Sequence, residues 1–235
     1  MTTDTISQRE RPWVSQVSTA LPAALLAILM QWAVVQSIAG ANWADDLGVI
    51  VLVGVGGAVL GALFAHLRWL PPLLAHLLSA LLGLVLTVRQ LAPLMGERLT
   101  TWADQATELF IRTLSLVRTV SSGGRGEDIL LFIASLALLS WLLGYASAWL
   151  IFRRGWVWRM VLLNAFIILT NYTYTLPKPT LLFFVFLVAA LLLVVLQQVV
   201  QRQERWAAAQ MEYPDFLPMR FVASAALVCT ALIAI

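Results

Sequence analysis

Residues 129–152 read ILLFIASLALLSWLLGYASAWLIF, without one charged side chain. Wound as an α-helix, a stretch of this length is about 36 Å long. That exceeds the ~30 Å hydrocarbon core of a bilayer. No water reaches the backbone there, so a helix that bonds its own N–H and C=O groups is the conformation that fits. Glu127 and Asp128 stand at its start, where negative charge meets the positive end of the helix dipole. Arg153 and Arg154 stand at its end.

The same pattern repeats outward in both directions. Apolar runs lie at about 17–39, 47–66 and 72–92 before it, and at about 156–172, 180–200 and 217–235 after it. Pro71 and Pro72 open the third run, and proline is tolerated in a first helical turn. The run at 156–172 is the shortest. Composition agrees: 61% of the 235 residues are hydrophobic and 11% are charged. A soluble domain carries about 25% charge, so this chain lacks the surface to dissolve its own apolar content. The predicted fold is all-α: a polytopic transmembrane helix bundle of about seven spans, forming one domain over 17–235 behind a polar tail, 1–16. Arg9 and Arg11 precede a first run longer than a signal-peptide core, so it is read as a retained span.

Arginine sets the predicted orientation. With the N-terminus in the cytoplasm, the inner segments hold Arg9, Arg11, Arg68, Arg153, Arg154, Arg159, Arg202, Arg205 and Arg220. The short outer loops hold Asp45, Asp46 and Lys178. The long outer segment, counted from the end of the third run, carries Arg89, Arg98, Arg112, Arg118 and Arg125, which count less in a segment of that length. The C-terminus then falls outside, in a multi-pass protein of the plasma membrane whose first partner is the lipid bilayer. The outer segment 93–127 is long and patterned. Trp102, Ala106, Leu109, Phe110, Thr113, Leu116, Val117 and Val120 recur at helical spacing, and Asp104, Glu108 and Arg112 fall opposite. This predicts an amphipathic helix lying in the membrane interface or on top of the bundle, with Glu108 paired to Arg112 and a break at Ser121-Ser122-Gly123-Gly124.

Little in the sequence carries chemistry. Gly54, Gly56, Gly57 and Gly61 sit inside an apolar helix, where small residues let a second helix approach. A phosphate-binding glycine loop would instead join a strand to a helix. His66 and His76 are the two histidines, and His76 lies within a span, where it is expected to hydrogen-bond a neighbouring helix. Asn164 is expected to do the same. Arg89 is placed to snorkel to the outer interface. The one cysteine, Cys229, lies in an apolar run far along the chain from both histidines, a setting for packing rather than nucleophilic attack. No catalytic, cofactor-binding or metal-ligating residue is assigned and no cofactor is implied. The net charge of +3 forms no basic stripe with interleaved aromatics, so nucleic acid is not an expected partner. Of ten tryptophans, Trp13, Trp43, Trp69, Trp156, Trp158 and Trp206 lie near span ends, as in an interfacial belt. Trp32, Trp141 and Trp149 lie deeper, and packing between helices is expected there.

Three stretches carry a resemblance. The first is Ser140-Trp141-Leu142-Leu143-Gly144-Tyr145, continuing through Trp149 to Arg153, Arg154 and Trp158. The second is Asn171-Tyr172 with Pro177, read as a short outer turn. The third is Gln201-Arg202-Gln203-Glu204-Arg205-Trp206, then Tyr213. In order and spacing, over about residues 125–235, they resemble the N-terminal membrane domain of bacterial membrane-anchored transglutaminase-like proteins. The resemblance implies an extracytoplasmic papain-like domain with a Cys–His–Asp triad, attached beyond the helices. That catalytic domain is absent from the 235 residues, and no triad residue maps onto this sequence. The expectation is a fragment of a longer protein, or a shortened relative: an anchor or scaffold that holds such a domain at the membrane, with further membrane proteins as candidate partners. The alternative is a small multi-span transporter or channel subunit, which calls for a polar cavity near the midplane. A weaker third reading, an enzyme acting on lipid, has only the Asp45-Asp46 pair to offer.

Overall fold

The computed structural model describes residues 11–96, 101–124, 128–208 and 224. They form seven α-helices: α1 (Arg11–Ala39), α2 (Val49–His66), α3 (Pro72–Leu91), α4 (Trp102–Ser121), α5 (Ile129–Arg154), α6 (Val157–Tyr174) and α7 (Thr180–Ala208). A 3-10 turn, Ala92–Met95, ends α3. Five of the helices are long and apolar enough to cross a membrane: α1 from Ala20, α2, α3 with its 3-10 turn, α5, and α7 as far as Arg202. The chain is thus a multi-span helical membrane protein.

Seven spans are not what these residues show. The run expected at 156–172 forms α6, which is not among the five. Arg159, Asn164, Thr170, Asn171 and Thr173 dilute its apolar character over only 18 residues. The run expected at 217–235, with Cys229, lies outside the described residues except for Ser224. Asn171-Tyr172 also differs from expectation, because α6 continues through both to Tyr174 and the turn to α7 starts only at Thr175.

Helix ends follow local chemistry. The Asp128 side chain accepts a hydrogen bond from the Leu131 N–H at 3.2 Å and so caps α5. An aspartate in that place satisfies an amide that has no partner within the helix. At the far end Gly155 takes φ +69°, the left-handed conformation that glycine adopts without a steric penalty. Its N–H bonds back to the Ile151 carbonyl, and the chain turns at once into α6. Thr101 caps α4 by accepting from the Asp104 N–H.

The centre of the bundle is the α2–α5 pair. A methyl group added to Gly57 would collide with the Trp141 carbonyl, one on Gly61 with the Tyr145 carbonyl, and one on Gly144 with the Gly54 carbonyl. The two backbones therefore lie directly against each other. Rising residue numbers on α2 meet rising numbers on α5, so the helices run parallel. The pairing continues to the ends, where His66 packs on Phe152 at 5.2 Å. α3 runs antiparallel to α5: its Gly83 faces the Trp141 indole, and His76 near its start meets Tyr145 and Trp149. Since α2 and α5 are parallel and α3 returns between them, the segment joining α3 to α5 begins and ends at one end of the bundle. α4 therefore does not cross.

This geometry sorts the charges by end. Arg68, Arg153, Arg154 and Arg159 gather at one end, where the Arg153 Nη1 reaches the Ala65 carbonyl at 3.5 Å. α7 brings Gln197 beside Gly155 at that same end. Asp45, Asp46 and Lys178 lie at the opposite end, marked by contacts between the last turns of α1 and α6, and Arg89 on α3 and Arg112 and Arg118 on α4 lie at that end too. There the Asn171 Nδ2 donates to the Ser37 Oγ at 3.1 Å.

Candidate functional site

Polar side chains inside the bundle occur at a few inter-helix points, each tied to a helix position. Asn164, fully buried on α6, donates from its Nδ2 to the Ser147 Oγ of α5 at 3.0 Å and to the Met160 carbonyl at 2.8 Å. The Asn164 Oδ1 has no hydrogen-bond partner, and the same holds for both amide atoms of Gln31 on α1. Trp141 donates from its Nε1 to the Ser79 Oγ of α3 at 3.2 Å. These contacts fix which helix faces which. They set no acid beside a base.

His76 does what the sequence suggested, bonding across helices: its Nδ1 and the Tyr145 hydroxyl share a hydrogen bond of 2.9 Å. Its ring also meets Trp149 edge-on at 4.9 Å, and the Arg153 guanidinium lies 5.5 Å from the Trp149 ring centroid. His76, Tyr145, Trp149 and Arg153 thus form a ladder along the α3–α5 seam. His76 itself is exposed on the outside of the bundle, and it is not among the residues that line the cavity between α5 and α6. His66 turns its Nδ1 to the Ala62 carbonyl, 2.7 Å away on its own helix. Among the described residues, no group of three or more His, Cys, Asp or Glu side chains comes close enough to hold a metal ion.

A concavity lies elsewhere. A cavity of about 550 Å³ opens between α5 and α6. Leu139, Leu143, Leu163 and Phe166 form its walls, with Ile38 and Trp43 at the Asp45 end. Its few polar neighbours are Ser140, Thr170 and Asn171. The Thr170 hydroxyl is engaged with the Phe166 carbonyl, and Asn171 with Ser37. This is a greasy groove suited to hydrocarbon, and its chemistry differs from that of an ion or sugar path. Sequence reading missed it because the wall residues lie on two helices and are ordinary span residues on each.

The side chains of Trp13 and Trp206 lie outside the described ones, Trp32 is half-buried, and six other tryptophans divide as expected. Trp43, Trp69, Trp156 and Trp158 are exposed close to helix ends, and Trp141 and Trp149 are buried. Arg159 lies 4.3 Å from the Trp156 ring centroid, a cation–π contact at the helix start. Arg89 is exposed in the last turn of α3, as snorkelling requires.

α4 is held by charge. The Arg112 Nε donates to the Glu108 Oε1 at 2.7 Å, and its Nη1 donates to the Asp128 Oδ2 at 3.1 Å. Glu108, opposed by desolvation and aided by Asp128, raises the already high pKa of Arg112. The guanidinium is therefore charged at every working pH. An Arg112→Ala variant is expected to free α4 from the α5 cap at a cost below about 1 kcal/mol, because the pair is partly exposed. Faster amide exchange along α4, with α5 unchanged, would show it. Unchanged exchange in α4 would mean that packing alone holds the helix.

Comparison of the chain with protein families, with curated proteins and with solved structures finds no match in any of the three.

Proposed function

We propose that this chain is a membrane anchor and scaffold domain of the transglutaminase-like type, which holds an extracytoplasmic catalytic domain at the bilayer and performs no catalysis itself. The observation that carries the scaffold reading is the α2–α5 interlock. Backbone pressed on backbone at Gly57, Gly61 and Gly144 makes a rigid core, which suits a protein that sets height and orientation. The Ser140–Tyr145 stretch of the resemblance lies within that interlock, and this supports assigning the two together. The clustering of Arg68, Arg153, Arg154 and Arg159 at one end supports making that end cytoplasmic, since Arg89, Arg112 and Arg118 at the Asp45 end sit at or within one long segment, which counts less. In this reading α6 crosses as well, antiparallel to α5, with its polar side chains turned to Ser147 and Ser37. The apolar sequence of 217–235, read as a further span, then puts Ile235 on the outer side. The transporter alternative calls for a polar path, and the groove between α5 and α6 is walled by leucine and phenylalanine.

The test is a fusion. Alkaline phosphatase joined after Ile235 should be active in cells, fractionate with membranes and be cut by protease added outside. An inactive fusion, paired with an active β-galactosidase fusion at the same residue, would put this end in the cytoplasm and remove the anchor reading.

A further inference from the structure

α4 divides its apolar residues between two surfaces. Leu109 packs on the hydrophobic core, and Gln105, Arg112 and Leu116 share that side of the helix. Phe110, Leu114 and Val117, at i, i+4 and i+7, form a second apolar face. These three are 69%, 40% and 58% exposed, and Val120 and Trp102 flank them. A third sector carries Asp104, Thr107, Ser115 and Arg118, all exposed, with one apolar side chain, Ile111, 56% exposed among them. A helix that met only the bundle and water would need one apolar stripe, and this helix has an additional one.

The height of α4 says what meets that stripe. Arg112, at mid-helix, is bonded to Asp128, the residue that caps α5. The next residue, Ile129, begins the lipid-length apolar run and is itself 64% exposed. The middle of α4 is therefore level with the point where α5 enters hydrocarbon. We infer that α4 is an interfacial lipid-binding helix, with Phe110, Leu114 and Val117 sunk into the acyl boundary of the leaflet at the Asp45 end and the Asp104–Ser115 sector in water. Burial of about 5–10 Å is usual for such helices. Asp104 and Glu108 balance Arg112 and Arg118, so binding depends on apolar area and does not require acidic headgroups. The inference holds whether or not a further domain follows Ile235.

The test uses the full chain with Cys229→Ser, whose fold is first checked by circular dichroism. Single cysteines at Phe110, Leu114, Val117, Asp104 and Ser115 carry a nitroxide label, in vesicles of phosphatidylcholine with and without phosphatidylglycerol. The first three positions should collide mainly with oxygen, the last two mainly with a water-soluble nickel chelate, and the lipid charge should make no difference. Nickel access at all five positions would overturn the inference. So would low access to both quenchers at 110, 114 and 117 with dipolar broadening between labels, which would mean that a second copy covers the face. A pattern that appears only with phosphatidylglycerol would also overturn it, in favour of headgroup charge.

Discussion

Replacing Gly144 with leucine is expected to destabilise the bundle severely. The new side chain would start where the Gly54 carbonyl now sits, with the Ala58 nitrogen 2.9 Å from its Cβ. Overpacking in a core commonly costs about 1–3 kcal/mol when neighbouring side chains can adjust. Here the neighbours are main-chain atoms in the middle of α2, and no rotamer change moves them. A cost of about 3 kcal/mol or more follows, a large share of the 5–15 kcal/mol that stabilises a typical domain. Gly144→Ala should fall between leucine and wild type, since its single methyl meets the same carbonyl. Gly48→Ala is the control: nothing lies within 4 Å of that Cβ, and a change within about 0.5 kcal/mol is expected. Unfolding in mixed dodecylmaltoside and SDS micelles, followed by circular dichroism, would measure all three. A Gly144→Leu protein as stable as wild type would mean that α2 and α5 are not in backbone contact.

Trp141→Ala is the second large effect. Trp141 is buried where three helices meet. Gly57 lies against its backbone, Gly83 faces its indole, and its Nε1 donates to Ser79. In a soluble core the truncation would cost about 3–5 kcal/mol. In a bilayer the part due to transfer from water largely vanishes, because lipid is as apolar as the core. Lost dispersion contacts remain, and about 2 kcal/mol is the expected loss. Trp141→Phe keeps most of the ring and removes the donor, so it should cost close to the ~0.6 kcal/mol average for a membrane hydrogen bond. Equal losses for Ala and Phe in the same micelle titration would assign the role of Trp141 to the hydrogen bond, contrary to the packing account.

The elements were readable from sequence where a local rule governs them. Hydropathy over about 20 residues is such a rule, and α3 and α5 begin at the expected Pro72 and Ile129. The glycines of α2 announced a close contact, and His76 and Asn164 announced hydrogen bonds between helices. The partners of the glycines and of His76 could not be read, because Gly144 and Tyr145 are separated from them by connections whose length leaves the pairing free. The apolar run of α6 predicts a span, but Arg159 and the two asparagines dilute that run over 18 residues, and it is not among the five helices apolar enough to cross. Only the bundle shows that Ser147 and Ser37 meet those asparagines. On α4 the period was plain, but periodicity gives one apolar arc. It does not show that Leu109 turns to protein and Phe110 to another medium. The groove between α5 and α6 is a gap between elements, and a sequence does not write its gaps.

The interlock also dictates an order of synthesis. α2 leaves the ribosome with its glycine face complete, but the surface that closes it is not made until α3 and α4 have been translated and the chain has passed Ile129. During that interval lipid tails line Gly57 and Gly61, while Val35 of α1 already lies against Gly54. Hydrocarbon that fills a narrow notch is displaced readily by a backbone that fits it. The last helix of the pair therefore arrives at a prepared slot, and a nascent chain stopped before Ile129 carries an open one.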